Sequence, residues 1–217
     1  MDWRRVLLFG LAGAAVVGLA VALGVALSGS GGGGRIGKVE NVAAAMKAAG
    51  CTVRAVDASH ASEHLQEQNE KVTYNTFPPT SGAHHPSPSQ FGNYTTPVDP
   101  RQAVHNLEHG AVVIWYGPGT SEQDRRRITG FYDESPNGVV VTPILDPAPF
   151  VTYPKHKPLD SQIALTAWTT ATNAPHKGKG VVALCPHFGD DAFRAFRDEF
   201  RGRGPERFGV DTLEPGT

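Results

Sequence analysis

The string His105-Asn106-Leu107-Glu108-His109 places two imidazoles and a carboxylate within five residues. At a spacing of four, two histidines share one face of a helix with Cβ atoms about 5–6 Å apart, so both rings can reach one metal ion. In an extended strand the same rings would stand roughly 13 Å apart, too far for one ion. The H-x-x-E-H spacing is also that of the inverted zinc-protease motif, whose glutamate is a general base. Glu108 is therefore a candidate catalytic residue, although the match of five residues is weak when taken alone.

The residues around this string predict the helix that a shared metal ion requires. Asp99 can accept hydrogen bonds from the first free amides, and Pro100 suits the first helical position because it has no amide to lose. Gly110 predicts the end of the helix, since glycine tolerates the left-handed conformation found there. Residues 111–116 are apolar, β-branched or aromatic, which is typical of a buried strand.

The loop before this helix carries two more candidate ligands, His84 and His85. Prolines and glycines between residues 78 and 92 exclude regular structure there and favour a stiff, ordered loop. Such a loop can fold back over the face that carries His105 and His109, which predicts one metal site. Two alternatives stay open: the histidines make structural hydrogen bonds to the loop, or they serve catalysis without a metal.

His60 and His64 form a further pair at a spacing of four, in a polar segment. We interpret both as solvated surface residues, with a supplementary metal ligand as the alternative reading.

The composition excludes some classes of function and bounds the fold. The chain has 217 residues, 40% of them hydrophobic, which allows one domain with additional segments. The net charge is −1 and no nucleic-acid motif is present, so we expect no nucleic-acid partner. Helical and strand patterns do not alternate regularly, and no glycine-rich phosphate loop follows a strand. We therefore predict an α+β fold with a small mixed sheet, short helices and long loops rich in proline and glycine.

Two helices are predicted beyond the central segment. Thr120 with Gln123 resembles a capping box and predicts a helix start there. Near the C-terminus, Asp190 can cap a last helix whose phenylalanines, at positions 193, 196 and 200, form a stripe that faces the core.

The N-terminal segment predicts a membrane anchor. Residues 6–27 carry no charge and, as a helix, would span about 33 Å, enough for the hydrocarbon core of a bilayer. Arg4 and Arg5 precede the segment, so we expect residues 1–5 in the cytoplasm and the following domain outside the cytoplasm. A cleaved signal peptide is the alternative, although its apolar core would be unusually long.

The remaining boundaries follow from composition. Residues 28–35 form a Gly/Ser linker that cannot pack. The folded extracytoplasmic domain is predicted to span residues 36–206, and residues 207–217 to be a loose tail.

The two cysteines, Cys51 and Cys185, predict one disulfide, because an exported domain lies in an oxidising compartment. The alternative is that Cys185 acts as a thiolate ligand or a nucleophile.

Several strings resemble the bacterial Domain-of-Unknown-Function 3105 family. They are YNTFPPTSGAHHP, VHNLEHGAVVIWYGP, IALTAWT and Gly204-Pro205-Glu206, within residues 50–206. The resemblance is consistent with an N-terminal anchor and an exported domain, and it implies no reaction, substrate or cofactor. The second histidine of His84-His85 is less typical of the family, so the resemblance favours His84 over His85 as the ligand.

Three functions are compatible with these observations. The first is a membrane-anchored domain that binds zinc or copper through His84, His105 and His109 in a carrier, assembly or sensing role. The second is a metal-dependent hydrolase in which Glu108 activates water. The third is a non-catalytic cell-surface scaffold. The sequence does not indicate a protein partner or a substrate.

Overall fold

The fold is taken from a computed structural model, which describes residues 36–59, 63–171 and 174–217. The predicted membrane anchor at residues 6–27, the linker and His60 lie outside these residues. Among the helices of the described segments, none is long and apolar enough to cross a membrane. The described residues all fall within one compact unit.

A mixed sheet of six strands forms the centre of the domain. Its order is β1 (Thr52–Asp57), β8 (Ala174–Cys185), β7 (Ile163–Ala171), β4 (Val112–Tyr116), β5 (Val139–Pro143) and β3 (Gly92–Asn93). The pairs β1–β8, β8–β7 and β7–β4 are antiparallel, whereas β4–β5 and β5–β3 are parallel. A second, two-stranded parallel sheet pairs β2 (Val72–Thr73) with β6 (Val151–Thr152). The prediction of an α+β fold with a mixed sheet is confirmed.

Both faces of the large sheet are covered, so alternate residues of a strand enter two different cores. Val112 and Ile114 of β4 face a core that includes residues of α1 (Ile36–Ala48), α3 (Glu122–Glu134) and α4 (Asp190–Phe200). Val113 and Trp115 face the opposite core, with α2 (Pro100–His109) and the long loop that precedes it. The histidine-rich segment therefore lies on the second face.

The helix after β4 begins one residue later than the sequence predicts. Ser121, rather than Thr120, is the N-cap of α3, and its hydroxyl oxygen accepts a hydrogen bond from the amide of Asp124 at 3.0 Å. Asp124 is buried and its carboxylate also accepts from the amide of Phe188 at 3.1 Å, which fixes the start of α3 against the segment before α4. In the last helix Phe193 and Phe196 are fully buried, as the stripe predicts, whereas Phe200 is only partly buried. Gly189, rather than Asp190, is the N-cap of this helix.

The disulfide between Cys51 and Cys185 is present, which confirms the prediction. Cys51 directly precedes β1 and Cys185 ends β8, and the antiparallel pairing of Thr52 with Leu184 brings the two Cα atoms to 4.2 Å. Because both sulfurs are bonded, Cys185 is neither a thiolate ligand nor a nucleophile in this state.

The C-terminal residues 207–217 are packed against the domain, so the prediction of a loose tail is wrong. A short 3₁₀ helix, Val210–Thr212, leads to Leu213. Leu213 is 2% exposed and lies in the core that also contains Val113 and Trp115. Backbone hydrogen bonds join Gly138 to Leu213 at 2.8 Å and Phe91 to Thr217 at 3.0 Å. The segment is fixed by the burial of Leu213 and by backbone hydrogen bonds to residues distant in sequence. The composition of the segment itself predicts neither interaction.

Candidate metal centre

The helix that carries the H-x-x-E-H string has the predicted caps. The Asp99 side chain accepts a hydrogen bond from the amide of Arg101 at 2.8 Å, and Gly110 ends α2 in the left-handed conformation with φ 105°. His105 and His109 therefore lie in the last turns of α2, and their ring centroids are 4.5 Å apart. The helical spacing brings the two imidazoles together as the sequence predicts.

Hydrogen bonds hold the loop that carries His84 against α2. Asn106 accepts hydrogen bonds from the amide and hydroxyl of Ser89, and its own amide donates to the Ser89 carbonyl at 2.7 Å. Nearer the start of the helix, the amide of His85 donates to the Arg101 carbonyl at 3.2 Å. These bonds hold the loop over the face of His105.

A second chain segment brings His64 to the same place. His64 and His84 form a parallel β-bridge, in which the amide of His84 donates to Glu63 O at 3.0 Å and the amide of Leu65 donates to His84 O at 2.8 Å. The His64 ring stacks on the His105 ring, with centroids 4.9 Å apart. The interpretation of His64 as a solvated surface residue is therefore incomplete, because its exposed ring lies against the other histidines.

The two most buried histidines are each oriented by a hydrogen bond from Nδ1. His84 donates Nδ1–H to the carbonyl of Gly82 at 2.8 Å, and His105 donates Nδ1–H to the carbonyl of His85 at 2.7 Å. A neutral imidazole that donates through Nδ1 carries its lone pair on Nε2. Metal-bound histidines typically donate their other ring N–H to a carbonyl or carboxylate in this way.

Four side chains offer ligand atoms at one point. One atom each from His64, His84, His105 and Glu108 lies within 4.8 Å of the others, and His84 Nε2 is 2.9 Å from Glu108 Oε2. Ligand bonds of about 2.0–2.1 Å allow two ligand atoms to lie at most about 4.2 Å apart. Four ligands arranged tetrahedrally at that bond length are about 3.4 Å apart, so the most distant atoms of the group must approach by roughly 1.4 Å to bind one ion. The exposed His64 is the freest member for such a movement.

The site is buried on one side and open on the other. His84 and Glu108 are 0% exposed and His105 is 5% exposed, whereas His64 is exposed. The rings of His84 and Trp168 are nearly perpendicular, with centroids 6.2 Å apart. A low-dielectric wall of this kind strengthens interactions between a cation and the Glu108 carboxylate.

Burial also keeps the imidazoles neutral. Desolvation lowers the pKa of His105 from 6.5 to about 4, with a smaller opposing effect of the hydrogen bond to the His85 carbonyl. Desolvation likewise lowers the pKa of His109, partly opposed by the carboxylate of Glu206. At neutral pH both rings are therefore neutral, the form that binds a metal.

His109 does not belong to the group of four. Its Nε2 lies 3.0 Å from His105 Nε2 and 3.0 Å from Glu206 Oε2, so it lies between the buried group and the surface. The sequence does not predict the contact with Glu206. Residues 109 and 206 are far apart in the chain and come together only because the segment after α4 folds back onto α2. The Gly204-Pro205-Glu206 string is the one signal that could have indicated it.

His85 contributes its backbone carbonyl rather than its ring. Its Nδ1 lies 2.9 Å from the carbonyl oxygen and 3.0 Å from the amide nitrogen of Ser87, outside the group of four. The weaker standing of His85 as a ligand candidate agrees with this geometry.

Comparison with known families identifies the chain at the level of its domain. A family model described as Protein of unknown function (DUF3105) matches residues 64–207. The chain belongs to the DUF3105 family. The matched region begins at His64 and includes Glu206, so all of the clustered side chains lie within the DUF3105 domain. No curated protein and no solved structure matches the chain significantly.

Proposed function

We propose that this DUF3105 protein is a membrane-anchored, extracytoplasmic domain that binds one divalent transition-metal ion in a carrier, assembly or sensing role. The observation that carries the proposal is that His84 and His105 are oriented by the same kind of hydrogen bond. Each donates Nδ1–H to a backbone carbonyl, and each offers a ring nitrogen within 4.8 Å of a carboxylate oxygen of the buried Glu108. This arrangement fixes two lone pairs toward one point before any ion is bound.

The burial of these groups argues against a purely structural scaffold. Transfer of a carboxylate from water to the protein interior costs several kcal/mol even after relaxation, and apolar side chains of similar volume are often more stabilising. Glu108 and His84 are fully buried, and the His84 ring lies beside Trp168. A bound cation would offset the free-energy cost of burying the carboxylate, so metal binding would explain why a polar cluster is buried here.

The donor set favours divalent ions over copper(I). Imidazole nitrogen and carboxylate oxygen suit Zn²⁺, Cu²⁺ and related ions, whereas Cu(I) prefers thiolate and thioether ligands. Neither cysteine has a free thiol, and Met46 lies in the core on the opposite face of the sheet. Zinc and copper(II) are therefore the ions to test first.

A metal-dependent hydrolase is less well supported. A general base must contact the water that it activates, but Glu108 is fully buried and lies 2.9 Å from the ring of His84. That position suits a ligand or a counter-charge to the ion. If Glu108 were a base, a Glu108→Gln variant would bind the ion normally and lose hydrolytic activity.

The extracytoplasmic location rests on two separate observations. Residues 6–27 have the length and composition of a membrane span preceded by two arginines. The Cys51–Cys185 disulfide is the bond that an oxidising compartment favours.

Elemental analysis of the full-length protein tests the proposal. The chain is purified in detergent without chelators, beside a His84→Asn/His105→Asn variant and a His187→Ala control. The asparagine amide can replace Nδ1 as donor to the loop carbonyl but offers no Nε2 lone pair, and His187 is a largely exposed ring outside the group. We expect about one divalent ion per chain in the wild type and the control, and almost none in the double variant. Equal metal content in all three proteins, or none in the wild type, would refute the proposal.

A further inference from the structure

His105 lies between two sets of possible ligands. On a helix with about 100° per residue, Glu108 lies about 60° to one side of His105 and His109 about 40° to the other. Glu108 joins the buried group with His84, whereas His109 turns toward Glu206. The H-x-x-E-H string therefore serves two neighbouring positions that share its first histidine.

Neighbouring ligand atoms of the outer set are separated, pair by pair, as two ligands of one ion can be. His105 Nε2, His109 Nε2 and Glu206 Oε2 follow one another at 3.0 Å steps. Two ligand atoms bound to one ion at about 2.1 Å and at a right angle are separated by about 3.0 Å. Two imidazoles and a carboxylate are a donor set used for divalent iron, zinc and similar ions.

Exposure falls steadily along this chain of atoms. The Glu206 side chain is 40% exposed and that of His109 is 19% exposed, whereas His84 and Glu108 at the inner end are 0% exposed. An ion that arrives from solvent along this path meets a hydrated carboxylate first and the buried ligands last. Each step replaces one ligand by the next, so the ion is never without protein ligands.

Resting on the proposed function, we infer that His109 and Glu206, together with His105, form an outer ion position through which a divalent metal ion enters and leaves the inner site. His105 Nδ1 donates to the His85 carbonyl, so only Nε2 can bind an ion. One ion at a time can therefore use His105, and the two positions exchange a single ion rather than hold two.

The segment that contains Glu206 packs closely against the C-terminal end of α2. The amide of Glu206 donates to Glu108 O at 3.2 Å, and the amide of Gly202 donates to Gly110 O at 2.8 Å. A side chain at Gly204 would place Cβ 2.2 Å from Glu108 O, so only glycine permits this approach. Phe208 packs on the His109 ring, with centroids 4.7 Å apart. Glu206 is thus held beside His109 by the backbone as well as by its own carboxylate.

Stopped-flow kinetics of the full-length protein in detergent test the inference, with Zn²⁺ for loading and EDTA for removal. The variants are Glu206→Gln and His109→Gln, and the control is Glu63→Gln, which neutralises an exposed carboxylate next to His64 in the chain. We expect Glu206→Gln and His109→Gln to slow both loading and removal by about tenfold or more, with the equilibrium Kd within about threefold of the wild-type value. Glu63→Gln should leave both rates within about twofold.

The possible outcomes separate this inference from the proposed function. Wild-type rates in both variants would overturn the outer position while leaving the inner site intact. An equal slowing by Glu63→Gln would overturn it too, because general electrostatic attraction would then explain the effect. Binding of two Zn²⁺ ions per chain would contradict the shared use of His105. A wild-type protein that binds no ion would refute the proposed function itself.

Discussion

His84 Nε2 lies 2.9 Å from Glu108 Oε2, and neither side chain has any exposed surface. A loop residue and a helix residue thus meet in the core beneath a sheet, where a polar pair is costly unless a ligand uses it. Because His84 is tied to the Gly82 carbonyl through its other nitrogen, the pair is oriented toward the space shared with His105. The proposed metal function depends on this relationship.

Replacement of the Glu108 carboxylate should weaken metal binding without lowering the stability of the metal-free protein. In Glu108→Gln the side chain keeps its shape and loses its charge, so the metal-free variant should unfold at the wild-type temperature or above it. Zn²⁺ affinity should fall by about 10–100-fold, since a charged ligand is lost. Thermal unfolding with and without Zn²⁺ measures both, because an ion that binds only the folded state raises Tm. A metal-free variant that unfolds well below the wild type would show that Glu108 has a structural role.

The pH dependence of metal-free stability should reveal the burial of His105. Its pKa is about 4 in the folded protein and 6.5 in the unfolded chain, so the unfolded state binds more protons between these values. Stability is therefore fully present above about pH 6.5 and is lost as the pH falls toward 4, by on the order of 2 kcal/mol from this group. Urea unfolding between pH 7.5 and pH 4.5 measures the slope.

A matched variant isolates the contribution of His105 to that slope. His105→Asn keeps a donor for the His85 carbonyl and has no group that titrates in this range. Its stability should fall less steeply with decreasing pH. Identical slopes in the two proteins would mean that His105 is not buried as the structure has it.

The close approach at Gly204 should be required for both fold and site. In Gly204→Ala the new Cβ would lie 2.2 Å from Glu108 O and 2.4 Å from Gly110 N, so the backbone of α2 or of the C-terminal segment must move. We expect a loss of about 2–4 kcal/mol in stability, in the range of severe backbone and packing defects, together with weaker Zn²⁺ binding. Gly130→Ala is the control, because its Cβ meets nothing within 4 Å. Alanine there should stabilise α3 by about 0.5–1 kcal/mol.

Removal of the disulfide should weaken the fold and spare the site. The Cys51–Cys185 bond closes a loop of 134 residues, so its loss should cost up to about 4–5 kcal/mol in the chain-entropy description. The two cysteines lie in the core on the face opposite to α2, so the Zn²⁺ affinity of the folded Cys51→Ala/Cys185→Ala protein should stay within about twofold. Urea unfolding and Zn²⁺ titration of the same preparation compare the two effects. A large loss of affinity would show that the two faces of the sheet are coupled.

Local signals in the sequence predict the helix of the site but not the whole ligand set. The caps at Asp99 and Gly110 act within a few residues, so α2 and the spacing of its histidines follow directly from the sequence. His64 and Glu206 reach the site only through a β-bridge to residue 84 and through the packing of the C-terminal segment. Neither contact has a periodic pattern, so the sequence predicts His84, His105 and His109 as ligands. The structure instead groups His64 and Glu108 with the first two.

Calorimetric titration of the metal-free, full-length protein with Zn²⁺ at pH 7.5 tests the central claim most directly. The wild type is compared with the His84→Asn/His105→Asn variant, which keeps both loop hydrogen bonds and removes both Nε2 lone pairs. The account predicts one Zn²⁺ ion per chain in the wild type and an affinity lower by at least about 100-fold in the variant. Equal affinity and stoichiometry in the two proteins would contradict it.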